Sequence, residues 1–170
     1  MSKSLVVYFS HPDENYNVGV ISEGNTKLLG DALAGAINAD VFEITPETPY
    51  PTEYQACIEK ATEEGSKSAR PGYIGDVDNW DDYDTVYLGY PIWWGDLPMI
   101  VYTFLENHNW SGKTLIPFNT HEGSGNANTY EMIKATVPDA NVIGDGWNIT
   151  GVKARTSEGQ QTLIDFAKSL

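Results

Sequence analysis

Three stretches of this sequence carry side chains suited to holding a small ligand. The first opens with Ser10-His11-Pro12 and closes with Ser22-Glu23-Gly24-Asn25-Thr26, just ahead of a helical apolar pattern. Hydroxyls and backbone N–H groups at a helix start attract an anion, because unpaired donors and the helix dipole act together there. By itself, Gly24-Asn25-Thr26 also fits a plain capping turn. The second stretch is Tyr90-Pro91-Ile92-Trp93-Trp94-Gly95-Asp96-Leu97-Pro98. Two consecutive Trp residues in a loop suit a planar heteroaromatic ring, which needs stacking faces and a few directed hydrogen bonds. At least one of the two is expected to anchor the loop on the domain. The third stretch, Thr120-His121-Glu122-Gly123-Ser124-Gly125-Asn126, lets backbone approach a ligand closely and offers hydroxyl and amide groups. A mobile Gly-rich hairpin has the same composition.

The elements around these stretches decide whether they meet. Ser4 to Ser10 is a short β-branched and aromatic run, read as a strand buried on both faces. Leu29, Leu33, Ala36 and Ile37 mark the apolar face of the next helix. Ala39 to Thr45 is a second strand, and a helix over 52–66 follows a Pro-containing turn. Asp84 to Gly89 is a third strand, Pro98 to Glu106 an apolar buried helix, and Thr114 to Asn119 a fourth strand. A helix over 126–136, a short fifth strand over 141–143 and a last helix from Ser157 complete the pattern; 145–151 has no clear assignment. Ser157 and Gln160 read as cap and partner of the last helix, which buries Leu163, Ile164 and Ala167. Alternation of this kind argues for an α/β domain, a parallel sheet with helices on both faces. Ligands of such sheets sit beyond the carboxyl ends of the strands, where strand order reverses. The three stretches follow the first, third and fourth strands, which are the loops that rule selects.

The 170 residues make a single domain, 1–170. No segment approaches the roughly 20 apolar residues of a membrane span. The start, Met1-Ser2-Lys3-Ser4-Leu5, has no signal-peptide pattern, so a cytoplasmic location is expected. A net charge of −14 disfavours nucleic acid and anionic membrane as partners and suits docking on basic patches of other proteins. Acidity that merely keeps the protein soluble explains the charge equally well. The lone Cys57 shares a helical stripe with Tyr54, Ile58 and Ala61 and reads as a buried core thiol. His11, His108 and His121 lack metal-ligand spacing and read as scattered surface histidines. Gly112-Lys113-Thr114 ends like a nucleoside-triphosphate loop but precedes a strand, and position 107 is Asn where that motif needs Gly. Lys113 therefore reads as a solvated residue at a strand start, and Asp81-Asp82 as a solvated turn. A phospho-acceptor receiver domain would need Asp where the first and third strands end in Ser10 and Tyr90, and no Ser-His-Asp set can be placed.

No Lys or Arg lies between Lys3 and Lys27, between Arg70 and Lys113, or between Lys113 and Lys134. An anion in these loops is expected to be held by neutral donors, with Asp13, Glu14, Glu23, Asp96 and Glu122 in the same loops. Together, Ser10 with Gly24-Asn25-Thr26, Tyr90-Pro91-Ile92-Trp93-Trp94-Gly95 and Thr120-His121-Glu122-Gly123-Ser124-Gly125 resemble the flavodoxin-like proteins that bind flavin mononucleotide (FMN). The resemblance runs over essentially the whole chain in matching order. It implies a flavodoxin-like three-layer α/β sandwich whose five parallel strands are ordered 2-1-3-4-5. It also implies FMN as cofactor, with Ser10, Asn25 and Thr26 on the phosphate, and residues 91–95 and 120–125 flanking the isoalloxazine ring. His11 and Gly24 belong to the same phosphate loop. That loop is usually a compact hydroxyl-rich run ending in Gly-Asn-Thr; here residues 11–23 are inserted, as in a bacterial branch of the family. No catalytic residue and no metal ligand is assigned.

Three functions are compatible with the resemblance. The first is a carrier that exchanges electrons with redox protein partners bearing basic surfaces. The second is an FMN-dependent NAD(P)H oxidoreductase acting on a quinone or other acceptor. The third is a non-redox domain of the same fold. Loops without cations favour the carrier, because an anionic nicotinamide nucleotide usually docks on basic side chains. Acidic surroundings also disfavour adding negative charge to the flavin, which makes it a stronger reductant.

Overall fold

Side-chain alternation at period two builds the centre of the sheet. In β1 (Ser4–Tyr8), Leu5 and Val7 enter one apolar layer, with Phe9 just beyond them, while Val6 and Tyr8 enter the other. A computed structural model describes residues 3–15, 19–144 and 146–170, with backbone only for 13–15. The side chains of Asp13 and Glu14, and Asp145, lie outside the described residues.

The inserted segment forms an antiparallel hairpin of β2 (Asp13–Asn15) and β3 (Gly19–Ile21), separate from the main sheet. Helix α1 (Asn25–Ile37) then leads to β4 (Asp40–Glu43), and α2 (Tyr54–Ser66) to β5 (Thr85–Pro91). Helix α3 (Met99–Glu106), β6 (Thr114–His121), α4 (Thr129–Thr136) and β7 (Asn141–Val142) follow. The chain ends through β8 (Trp147–Thr150), α5 (Gly151–Ala154) and α6 (Ser157–Lys168). The main strands are all parallel in the order β4-β1-β5-β6-β7, which is the expected 2-1-3-4-5. One apolar layer joins this sheet to α2, α3 and α4, the other to α1, α5 and α6.

The segment without a clear sequence assignment holds β8. It pairs with Phe118–His121, the carboxyl half of β6, whereas β7 pairs only with Thr114 and Leu115. The fifth sheet position is thus a broken strand whose second half leads to the ligand edge.

Several local expectations change. The buried stripe of α1 runs through Thr26, Leu29, Gly30, Leu33 and Ala34, and Ala36 is exposed. Small residues let this helix approach β1 closely: a Cβ on Gly30 would collide with the Tyr8 ring. The cap of α6 is Thr156, not Ser157. Thr156 has extended backbone, and its hydroxyl accepts the Gly159 N–H at 2.9 Å, while Ser157 is the first helical residue.

Lys113 is buried instead of solvated. Its ammonium donates to the carbonyls of Trp80 (2.9 Å) and Tyr83 and stands 4.9 Å from the Trp80 ring. Trp80 opens the 3₁₀ turn Trp80–Asp82 and Tyr83 caps it, so one turn presents both carbonyl oxygens to the ammonium. Asp81 and Asp82 of that turn are exposed, as expected.

Two of the three histidines are also interior. The His108 side chain is 5% exposed, packs on Phe104 and Trp80 at 4.3 and 4.5 Å, and faces Asp76 Oδ1 at 2.7 Å. His11 is buried with Nε2 at 3.2 Å from the Pro51 carbonyl. Aromatic neighbours shield both rings, which single-residue composition does not show. Among the described residues no helix is long and apolar enough to cross a membrane.

Candidate functional site

The loops after β1, β5 and β6 meet at one cleft of about 490 Å³. Its lining includes His11 and Asn25 from the first loop, Pro91 to Gly95 from the second, and Thr120, His121, Glu122 and Ser124 from the third. Ser10, Gly24 and Thr26 are not in that lining, nor are Gly123 and Gly125 of the third loop.

These absences have structural causes. Gly24 precedes α1 with extended backbone and provides no side-chain cap. A Cβ there would collide with Ser10 Oγ and lie 2.8 Å from the His11 carbonyl, so the chain passes itself at a distance only glycine allows. Ser10 Oγ accepts the Lys27 N–H at 3.0 Å and thereby fastens the first turn of α1 to the end of β1. The Thr26 hydroxyl is buried, 2.9 Å from that of Thr120, and ties the first loop to the third. These contacts shape the loop beside the anion-attracting N-terminus of α1, and Ser10, an acceptor in its bond, keeps its own O–H to donate.

The two tryptophans take different roles. Trp93 packs edge-on against Phe9 (5.3 Å) and Tyr50 (5.0 Å). The Tyr50 hydroxyl donates in turn to the buried carboxylate of Glu64 at 2.6 Å. Trp94 is 68% exposed. Hydrogen bonds in both directions between Trp93 and Asp96 close a two-residue turn, with Trp94 at φ 54° and Gly95 at φ 68°. Positive φ at both central residues marks a type I′ turn, and a bulky side chain is strained there. Asp96 braces this loop: its Oδ1 accepts from the Leu97 N–H and the Tyr102 hydroxyl, each at 2.6 Å.

Buried polar groups hold the third loop. Asn119, fully buried, donates from Nδ2 to the Gly125 carbonyl at 3.1 Å and accepts at Oδ1 from Tyr130 at 2.8 Å. The His121 ring accepts the Gly123 N–H at Nδ1 (2.9 Å), so its proton sits on Nε2 and is donated to Asn148 Oδ1 at 3.1 Å. Through that bond β8 sets the imidazole orientation at the cleft wall.

Sequence reasoning missed two contributions. Tyr54, Cys57, Ile58 and Ala61, expected to be core, are the stripe that α2 turns toward the cleft. Cys57 is both buried and in the lining; burial and the Glu64 carboxylate push its thiol up to about 11. The second is Arg155, just after α5, whose Nη1 donates to the Glu23 carbonyl (2.8 Å) and to Asn25 Oδ1 (3.1 Å). The loops lack cations in sequence, yet the fold brings one to the first of them. Helical spacing did reveal the α2 stripe, without telling what it faces; no local signal marked Arg155.

Comparison with known proteins follows the same outline. A family model described as Flavodoxin matches residues 3–160. No curated protein sequence matches the chain. Among solved structures, a proposed flavoprotein from Bacteroides eggerthii DSM 20697 is 30% identical, with 98% of each chain covered and a TM-score of 0.76. Another from Bacteroides uniformis ATCC 8492 is 28% identical over 98% of each chain, with a TM-score of 0.78. A flavoprotein from Lactobacillus acidophilus NCFM, solved in complex with FMN, is 19% identical over 87% of this chain and 93% of its own, with a TM-score of 0.68; at that identity it speaks for the fold alone.

Proposed function

The chain belongs to the flavodoxin family, and on that premise we propose that it holds FMN in this cleft and carries electrons between protein partners. One observation carries the reading. Asn25, at the start of α1, and the aromatic loop 91–95 line the same cleft. A helix N-terminus suits a phosphate and an aromatic rim suits a flat ring. The cleft volume of about 490 Å³ falls in the range of small-molecule sites, roughly 300–1,000 Å³. The start of α1 would hold the phosphate, Trp94 would cover one face of the ring, and residues 120–124 would lie along it. Bound FMN supplies the capacity to take up and return electrons. The protein's part is to bind and orient it and to set the charge around it.

The carrier role is supported by the net charge of −14 and by Trp94, exposed at the cleft rim where a partner can approach. Redox proteins with basic surfaces are the partners this charge fits. A second reading, an FMN-dependent NAD(P)H oxidoreductase, is favoured by α2. Its stripe of Tyr54, Cys57, Ile58 and Ala61 gives the cleft an apolar wall against which a flat acceptor such as a quinone can lie.

Purified protein is expected to be yellow or to become so with FMN, and apoprotein should bind FMN more tightly than riboflavin. Wild-type protein that binds no flavin in titration overturns the proposal. NADH or NADPH alone should reduce it slowly, and a partner reductase quickly. Saturable turnover with a pyridine nucleotide and a quinone would establish the second reading in its place.

A further inference from the structure

A guanidinium stands at the positive end of α1. Arg155 follows the one-turn helix α5, which β8 delivers to the carboxyl edge of the sheet. Its two acceptors, the Glu23 carbonyl and Asn25 Oδ1, are both neutral. Among the described residues no carboxylate forms an ion pair with it. Lys27, the nearest cation in sequence, is tied to Asp31 at 2.9 Å and lies 4.0 Å from Glu43.

Helix N-termini attract anions and disfavour cations, because the first N–H groups carry partial positive charge. A guanidinium keeps its charge at any accessible pH. Placed there with only neutral oxygens as partners, it is favourable when an anion shares the place. Glu122, the one carboxylate among the described lining residues, also lies beside this corner, since a Cβ on Gly151 would collide with both Glu122 Oε1 and Asn25 Nδ2. A phosphate beside that carboxylate needs a counter-charge.

Resting on the FMN reading, we propose that Arg155 recognises the phosphate of the cofactor and sets the preference for FMN over riboflavin. Among the described residues its bonds run through Nη1, and the guanidinium has further N–H donors for phosphate oxygens. The same contact fixes the Asn25 amide, so one residue both positions the loop and supplies its charge. The loop between β1 and α1 therefore works with a cation contributed from the far end of the chain.

The test is a titration of wild-type, Arg155→Gln and Arg155→Lys apoproteins with FMN and with riboflavin, read by flavin fluorescence at two salt concentrations. Arg155→Gln should weaken FMN by about tenfold or more and change riboflavin by less than about twofold, with Arg155→Lys between. FMN affinity should fall with salt in the wild type and much less in Arg155→Gln. Equal losses for both flavins, or an unchanged FMN affinity, overturn the proposal. Inorganic phosphate gives a second readout: it should raise the Tm of wild-type apoprotein and not that of Arg155→Gln. Wild type that binds neither flavin but is stabilised by phosphate through Arg155 would remove the FMN reading and keep the anion role of Arg155. If phosphate also leaves it unchanged, both fall.

Discussion

Trp94 sits at positive φ, a conformation that bulky residues avoid, and it is exposed, so no burial compensates for the strain. Its neighbour Trp93 is held by Phe9 and Tyr50. This pair separates two effects that sequence alone leaves merged. Trp93→Ala should destabilise the fold by about 2 kcal/mol, read as a lower midpoint in denaturant, because packing among three rings is lost. Trp94→Ala should change stability by less than about 0.5 kcal/mol. It should instead weaken FMN binding by about 1–2 kcal/mol and raise the emission of bound flavin. A Trp94→Ala protein that binds FMN as tightly as wild type and stays dark would remove Trp94 from the ring site.

At the scale of elements, α2 and the β8–α5 unit do the positioning. Helix α2 turns one stripe toward the cleft, and Cys57 on it offers a chemical probe. Burial and Glu64 raise its thiol to about 11, so at pH 8 about a thousandth is thiolate, the form that alkylating agents attack. Alkylation should therefore be slow at pH 8 and speed up about tenfold per pH unit toward 11. The sign for stability is the opposite of a gain. Above the unfolded thiol's 9.0 the unfolded chain releases its proton first, so this group's contribution declines between 9 and about 11. FMN should slow the alkylation further by covering the stripe. Equal rates with and without FMN, measured by mass spectrometry, would place α2 outside the cofactor's reach.

For the whole molecule, a net charge of −14 creates a field that salt screens within about 10 Å at 0.1 M. Electron exchange with a basic partner should slow as ionic strength rises, in stopped-flow measurements between low and high salt. Little dependence on salt would argue against electrostatic docking. Local charge acts on the flavin itself, and Glu122 is the carboxylate in the described lining, whereas Asp96 is spent on Leu97 and Tyr102. Glu122→Gln should raise the flavin midpoint potential by about 30 mV. Asp96→Asn should chiefly loosen the loop, with a smaller change in potential.

The succession of strands and helices along the chain, and the loops that follow the strands, were legible in the sequence, because alternation and the apolar period are local properties. The order of the strands in the sheet came from the family resemblance. Runs such as Leu5–Phe9, buried on both faces, declare a central strand without any partner in view. Twin Trp residues were legible for the same reason, as a departure from what a core or a plain surface needs, whereas the Gly-Asn-Thr turn stood out only by its place after the first strand. The sequence could not assign their roles, since Trp93 and Trp94 differ only in whether Phe9 and Tyr50 lie against them. Helical spacing likewise grouped Tyr54, Cys57, Ile58 and Ala61 without saying whether that stripe meets core or cleft. Lys113 reads as solvated until the carbonyls of Trp80 and Tyr83 close around it. Arg155 lies 130 positions from Asn25 and reaches it only because β8 pairs with the carboxyl half of β6. Period and composition report what one segment needs. Which groups face one another across the sheet edge is set by strand pairing and helix docking, and so the charge beside the loop between β1 and α1 was decided by the tertiary structure alone.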